Sequence, residues 1–255
     1  MNEPLVAPSR NLSRAWLEVL RGLLLPGVRE LSPVIVNVDE ILDSGEPDED
    51  PTIRANLDTL LLESGKRSVA SVANTIFPLS LWNPAVPDAA ELLYTRYERI
   101  WPRIEKTQAN RNGVYFRRLT AFEPKINGVS IEPVNQLKTI IATYKAGNHR
   151  RSALQACVFD PTRDHSDARR RGFPCLQQVA FTPIDDDGLA VTGFYASQYQ
   201  VEKAYGNYLG LARLGKFVAA EFGLKLVRMT CVASRVVIAD GSVFNKASLK
   251  QRFPE

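Results

Sequence analysis

Apolar residues recur at helical spacing in three parts of the chain. In residues 135–147 (NQLKTIIATYKAG) they fall at positions i, i+3, i+4 and i+7, which predicts an amphipathic helix ended by its final glycine. Residues 207–223 are apolar over much of their surface, so we expect a long buried helix there. The segment that follows Ser13 shows the same spacing, and Ser13 is its predicted N-cap.

Runs rich in β-branched or alternating residues predict the strands. They occupy residues 32–38, 152–159 and 224–237. Two further runs, at 176–182 and 189–195, flank an Asp-Asp-Asp-Gly turn, which is typical of a β-hairpin.

Helices and strands do not alternate strictly, so the order of elements favours an α+β fold over a parallel βαβ fold. We predict one domain over residues 1–255, with a mixed sheet and a long buried helix. The acidic stretch 39–51, with its Gly and Pro residues, is predicted to be a solvated loop. The charged tail 248–255 is predicted to fray.

Composition narrows the class of protein. Of the 255 residues, 45% are hydrophobic and 24% charged, which is typical of a globular chain with a real core. The net charge of +4 is spread along the sequence, which does not favour a nucleic acid as partner. An arginine-rich loop at 163–171 that contacts nucleic acid is the weaker alternative. Local arginine pairs suit small phosphorylated or carboxylated ligands.

The numbers of cysteines and histidines bear on disulfides, on metal binding and on the cellular compartment. Three cysteines and two histidines, without a Cys-x-x-Cys motif, predict neither a disulfide scaffold nor a zinc site. No apolar run is long enough to span a membrane, and no signal peptide is recognisable, so we expect a cytoplasmic protein without a membrane partner. Cys157 and Cys231 lie in predicted strands and are expected in the core.

The third cysteine stands in a different setting. Residues 169–179 read RRRGFPCLQQV, so Cys175 follows a proline at the start of a predicted strand, with cations upstream. One interpretation is a buried cysteine that packs as a small hydrophobe. The other is a nucleophile, because neighbouring cations lower the pKa of a thiol and only the thiolate attacks.

The second half of the chain resembles thymidylate synthase and the related pyrimidine nucleotide hydroxymethylases. The resemblance rests on an ordered series over roughly residues 75–250 and on no single motif. The series comprises ELLY (91–94), GVYFRR (113–118), GNHRRSALQACVFDP (147–161), GFPCLQQVAF (172–181), GFYASQYQ (193–200) and AYGNYLGLARLGKFVAAEFGL (204–224).

The resemblance implies a reaction at C5 of a pyrimidine nucleotide. By resemblance Cys175 is the nucleophile that adds to C6, Glu91 organises water and proton transfer, and Tyr115 lines the pocket. Read without the resemblance, Glu91 is a common first-turn acid of a helix and Tyr115 an ordinary core residue.

The resemblance also implies the binding residues. Asn207 would hydrogen-bond the pyrimidine edge, and Ser197 matches the family's serine after a one-residue deletion. Arg150 and Arg151 match an arginine pair that reaches across a symmetric homodimer, built on a sheet face, to the partner's nucleotide phosphate. The alternatives are an N-cap role for Asn207 and surface arginines that complement a helix dipole.

Four departures from the family pattern bear on activity. A phosphate-binding arginine has no match before Ser197, and the acid that contacts methylenetetrahydrofolate, the family's one-carbon donor, is also missing. The histidine after the nucleophile is Leu176, and the sugar-binding Asp-x-His-x-Tyr motif is replaced by VASRVV (232–237). The family's C-terminal closing segment also has no match. Candidates to replace the phosphate ligand are Arg235, Arg169–Arg171 and Arg117–Arg118.

Two functions therefore follow from the sequence. The first is a transferase that adds a methyl or hydroxymethyl group at C5 of a pyrimidine nucleotide. The second is an altered or inactive homologue that serves as a nucleotide-binding or scaffold dimer.

Overall fold

A computed structural model of the chain describes residues 5–8, 11–123, 125–126, 129–165, 173–239 and 244–254. These residues form helices, a six-stranded mixed sheet and two two-stranded sheets, so the predicted α+β class is confirmed. The helices are α1 Leu12–Leu24, α2 Pro51–Glu63, α3 Val69–Ile76, α4 Ala89–Glu105, α5 Tyr115–Thr120, α6 Gln136–Lys145, α7 Pro161–Asp164, α8 Tyr205–Phe222 and α9 Lys246–Arg252. The strands are β1 Leu5–Pro8, β2 Val34–Val38, β3 Lys125–Ile126, β4 Val129–Ser130, β5 Gln155–Cys157, β6 Leu176–Ile184, β7 Gly188–Tyr195, β8 Gln198–Tyr199, β9 Lys225–Ala233 and β10 Val236–Val237.

The main sheet has six strands in the order β1-β2-β9-β7-β6-β5. The pairs β1/β2 and β9/β7 are parallel, and the other neighbouring pairs are antiparallel. The β6–β7 pair is the predicted hairpin, and Gly188 pairs with Ile184 across its turn. β8 and β10 form a short parallel pair, and β3 and β4 a short antiparallel one.

The long helix α8 is buried against the sheet and against α3. Small residues allow this close packing, since a Cβ on Gly206 would lie 2.5 Å from Val72 Cβ, and one on Gly215 would lie 2.7 Å from Val191 Cγ1. The helix ends at Gly223, whose φ of +74° is the left-handed conformation that favours glycine at a C-cap. The predicted buried helix is therefore confirmed.

Of two predictions near the N-terminus, one is wrong and the other is confirmed in part. The N-cap of α1 is Asn11, whose side chain accepts hydrogen bonds from two backbone N–H groups, whereas Ser13 lies inside the helix. The acidic stretch 39–51 is a loop up to Asp50, but it is not simply solvated, because Glu46 pairs with Lys216 at 3.0 Å on α8. Asp50 caps α2.

The predicted fraying of residues 248–255 is also wrong for the residues described. They continue α9, and Phe253 is only 5% exposed. Its ring lies 5.1 Å from that of Trp16 in an edge-to-face arrangement, so the C-terminal helix packs on α1.

The two remaining cysteines differ in burial. Cys231 is 1% exposed, as predicted for the core, whereas Cys157 is exposed. The expectation for Cys157 is wrong because β5 is an edge strand and this side chain points away from the helices. Within the described part of the chain, no helix is both long enough and apolar enough to cross a membrane.

Ten side chains of the sheet face opposite α8 are half-buried or exposed. They form two cross-strand rows, which we call the open face: Cys157, Gln178, Phe194, Val232 and Ile35; and Gln155, Ala180, Thr192, Thr230 and Asn37.

Candidate active site around Cys175

Cys175 is held at the start of β6 by hydrogen bonds on both sides of its backbone. Its N–H donates to the hydroxyl oxygen of Tyr115 at 3.3 Å, and its carbonyl accepts from Ala196 N–H at 2.9 Å. Gln177 Nε2 also donates to the Cys175 carbonyl at 3.1 Å. One residue further on, a β-bulge shifts the register of β6 against β7 between Leu176 and Gln178. Bulges of this kind re-aim side chains next to functional sites.

Phe173 and Tyr115 form the wall beside the thiol. Their rings stack with centroids 5.1 Å apart. Gly113 lies over Phe173 with a φ of +123°, and a Cβ there would come within 2.6 Å of the ring. A glycine is therefore required at this turn for both conformational and steric reasons.

Burial governs the titration of the thiol. The Cys175 side chain is half-buried, and loss of solvent raises its pKa above the ordinary value for a cysteine. The charge of Lys203 and a hydrogen bond from Tyr115 oppose this shift, because both favour the thiolate. Burial also raises the pKa of Tyr115, so both groups are protonated at neutral pH.

Sequence reasoning missed Lys203. This residue lies in a π-helical turn, Gln200–Ala204, that leads directly into α8, and such turns are frequent at functional sites. Burial lowers the pKa of Lys203, and the positive charge of Arg67 lowers it further. A lysine within the mostly apolar segment YQVEKAYGNYLG was the signal in the sequence.

Asn207 lies one turn after Lys203 and is 3% exposed. None of the described residues hydrogen-bonds its side chain. Leu211, one turn further on, packs against Gly193 of β7, which places Asn207 towards the end of β7 that pairs with the start of β6. Asn207 is inside α8 and is not its N-cap, so that alternative is wrong.

Tyr195 is a further buried polar residue of this region. It is fully buried, and its hydroxyl has no hydrogen-bond partner among the described residues. Burial raises its pKa, with smaller effects from Cys231, Tyr115 and Cys175. Unpartnered buried hydroxyls are uncommon in folded proteins and need a structural or functional reason.

The other predicted site residues are less closely grouped. Ser197 is half-buried after β7, and Arg150 and Arg151 are exposed before β5. Glu91 is exposed and pairs with Lys138 at 2.9 Å. Glu91 is not among the groups that shift the pKa of Cys175.

The arginines considered as substitutes for the phosphate ligand are engaged elsewhere or lie outside the described residues. Arg169–Arg171 lie outside the described residues, and so does most of the arginine-rich loop 163–171. The pairs formed by the others are Arg118–Asp164, Arg117–Glu98 and Arg235–Glu30.

Arg118 is the most buried of these. It contacts both carboxylate oxygens of Asp164, at 3.0 and 2.9 Å, and its guanidinium lies 5.3 Å over the ring of Phe173. It therefore supports the wall of the site from behind and is not free to bind a ligand.

No group of three or more metal-ligating side chains occurs among the described residues. A groove between α2 and α9 lies elsewhere, and its lining contains none of the residues around Cys175. A comparison of the chain with known protein families and with characterised proteins finds no match.

Proposed function

We propose that this chain is a thymidylate-synthase-like transferase that adds a one-carbon unit, methyl or hydroxymethyl, at C5 of a pyrimidine nucleotide. The observation that carries the proposal is the setting of Cys175. Cys175 is half-buried at a bulged strand start, its backbone N–H is hydrogen-bonded to Tyr115, and the charge of Lys203 lowers the pKa of its thiol. The ordered series of motifs in the sequence agrees with this setting.

The proposed chemistry begins with loss of the thiol proton, which Tyr115 and Lys203 assist by stabilising the thiolate. The Cys175 sulfur then bonds to C6, and the electrons of the C5–C6 double bond move to form an enolate. C5 then forms a carbon–carbon bond to the one-carbon group of an electrophilic donor, and the donor's carrier leaves with the electrons of the bond that held this group. Loss of the C5 proton and departure of the thiolate restore the double bond and free Cys175.

Asn207 is proposed to bind the pyrimidine edge. Its amide is buried and without a partner among the described residues, and an amide presents both a donor and an acceptor. Ser197 is proposed to contact the nucleotide, and Glu91 to organise proton transfer, as the resemblance implies.

Methylenetetrahydrofolate fits the described residues poorly. The segment Ala196–Gln200, where the family places its folate-contacting acid, contains no carboxylate. The next acid, Glu202, already pairs with Lys66 at 3.1 Å. The donor is therefore proposed only as an electrophilic one-carbon unit.

A second candidate is a nucleotide-binding dimer without catalysis. The raised pKa of Cys175 favours it, because a thiol that stays protonated at neutral pH is a poor nucleophile. In this case the residues around Cys175 would bind a pyrimidine nucleotide without forming a covalent bond.

We further propose that a second copy of the chain covers the open face. The face carries exposed apolar groups such as Phe194, which is 42% exposed, beside polar ones. Arg150 and Arg151 are exposed just before the edge strand β5, next to this face. In a symmetric homodimer they are proposed to reach the nucleotide phosphate of the partner.

The test is the mass of the intact protein after incubation with 5-fluoropyrimidine nucleotides, with and without a one-carbon donor. We expect a gain of one nucleotide mass that survives denaturation. Cys175→Ser should abolish the gain, and the exposed thiol variant Cys157→Ser should retain it. Saturable calorimetric binding without a mass gain would support the second candidate, and the absence of both would overturn both candidates.

A further inference from the structure

Three main-chain carbonyl groups at the end of α1 converge on one ammonium group. The ammonium belongs to Lys246, the first residue of α9. Its Nζ donates to the carbonyl oxygens of Leu23 at 2.6 Å, Val28 at 2.6 Å and Leu25 at 3.3 Å. A lysine ammonium has three N–H donors, so each carbonyl can accept one of them. No carboxylate among the described residues pairs with Lys246, so these carbonyl oxygens hold its charge.

The local structure at the end of α1 creates this cluster of acceptors. The last four carbonyls of a helix have no partner inside the helix, and the negative end of the helix dipole lies there. A turn follows, closed by a hydrogen bond from Val28 N–H to the Leu25 carbonyl at 3.3 Å. Gly27 has a φ of +76° in this turn, and a Cβ there would meet no atom within 4 Å, so conformation rather than space favours glycine. The turn returns the Val28 carbonyl to the helix end.

Cation–carbonyl contacts hold α9 on α1 at both of its ends. Lys246 makes the contact at the start of α9, and Arg21 of α1 makes a reciprocal one beyond its end, where Nη2 donates to the Pro254 carbonyl at 3.0 Å. A helix of seven residues is too short to be stable alone, since isolated helices below about 12 residues are marginal in water. We therefore expect α9 to stay helical only while it is docked.

Docking of α9 also covers a residue that is bonded to a distant segment. Phe253, directly after α9, packs on Trp16. The indole N–H of Trp16 donates to the Gln200 carbonyl at 2.8 Å, and Gln200 Nε2 donates back to the Trp16 carbonyl at 2.8 Å. Gln200 begins the π-helical turn that leads into α8. Release of α9 would therefore expose the side chain that anchors this turn to α1.

We propose that the end of α1 is a binding site for one primary ammonium group, and that Lys246 occupies it as a tethered ligand. The charge of residue 246 then controls whether α9 docks. A groove of about 290 Å³, lined by residues 24–27 and by α9, adjoins the site, so a short alkylammonium would fit once the lysine is shortened. The proposal does not rest on the proposed function, because none of these residues contributes to the site around Cys175.

The first experiment measures hydrogen–deuterium exchange of the C-terminal peptide in the full chain. The probes are the amides of Leu249 and Phe253, which donate to the carbonyls of Asn245 and Leu249 within α9. Lys246→Met removes the charge and keeps an unbranched side chain. We expect exchange of this peptide to become about tenfold faster, because charge-assisted hydrogen bonds are lost and local opening becomes easier. Lys246→Arg should be closer to the wild type, since it keeps the charge.

Lys250→Met is the matched control. Lys250 lies one turn further along α9 and lines the same groove, but it is exposed and has no hydrogen bond or ion pair among the described residues. This variant removes the same charge and should exchange like the wild type. Equal acceleration in Lys250→Met and Lys246→Met, or no acceleration in Lys246→Met, would overturn the proposal.

A free amine tests the ammonium site itself. Lys246→Ala removes the side chain beyond Cβ, and n-propylammonium supplies the same three carbons and ammonium group. We expect it to slow exchange of the C-terminal peptide in Lys246→Ala saturably, towards the wild-type rate. Tetramethylammonium, which has no N–H donor, and 1-propanol, which has no charge, should not slow it. The wild type should not respond to n-propylammonium, because its own lysine fills the site.

The remaining outcomes of the amine experiment also decide the proposal. Fast exchange in Lys246→Ala that n-propylammonium leaves unchanged would reject the ammonium site and reduce Lys246 to a packing role. If Lys246→Ala does not fold by itself, its circular dichroism replaces exchange as the readout. Recovery of the folded spectrum with n-propylammonium but not with tetramethylammonium would then support the site, and failure to recover would reject it.

Discussion

The hydroxyl oxygen of Tyr115 accepts a hydrogen bond from the backbone N–H of Cys175 at 3.3 Å. The Tyr115 hydroxyl lowers the pKa of the Cys175 thiol, whereas burial raises it. Tyr115 thus both positions the residue and favours its reactive form.

Tyr115→Phe should therefore shift the pH dependence of Cys175 alkylation to higher pH. The thiolate is the charged form, so removal of a group that stabilises it raises the pKa further. The measurement is the rate of iodoacetamide modification at Cys175 against pH. A midpoint that stays in place or moves to lower pH would show that the hydroxyl does not act on the thiol.

Arg118→Leu should destabilise the fold strongly. The Arg118 and Asp164 side chains are 9% and 0% exposed, and Arg118→Leu removes the cation that pairs with this buried carboxylate. We expect the free energy of unfolding to fall by about 3–5 kcal/mol in chemical denaturation.

The adjacent variant Arg117→Leu provides the control for Arg118→Leu. Arg117 pairs with Glu98, whose side chain is 54% exposed, so its loss should cost about 1 kcal/mol or less. Equal losses for the two variants would contradict the distinction between the buried pair and the surface pair.

Phe253→Ala tests whether the C-terminal helix is part of the core. The ring of Phe253 is almost fully buried against Trp16, so its removal should cost about 3 kcal/mol or more in unfolding free energy. Lys250→Ala, on the exposed side of α9, should change stability little. If both variants melt like the wild type, α9 does not contribute to the stability of the fold.

Phe194→Asp tests the proposed homodimer. A carboxylate in the middle of a buried interface would be desolvated without a partner, so we expect the variant to elute as a monomer where the wild type elutes as a dimer. Leu62→Asp, at an exposed apolar residue of α2, should leave the elution unchanged. A wild-type chain that is monomeric at all concentrations would reject the dimer and the role of Arg150 and Arg151 across it.

Local sequence patterns were sufficient for the elements with strong periodicity. The β6–β7 hairpin follows from its Asp-Asp-Asp-Gly turn, and α8 from its continuous apolar surface and terminal glycine. The N-cap of α1 was misassigned because both Asn11 and Ser13 are good caps, and the choice depends on a hydrogen bond from Asn11 Nδ2 to distant Asp48.

The sequence by itself determined the α+β class, the hairpin, the long buried helix and the candidacy of Cys175, because these depend on local spacing and on residue chemistry. Only the tertiary structure decided which charges surround the thiol. Lys203 is remote from Cys175 in sequence, yet in the folded chain its charge lowers the pKa of that thiol. Electrostatic effects depend on distance and burial in space, and neither quantity is encoded by spacing along the chain.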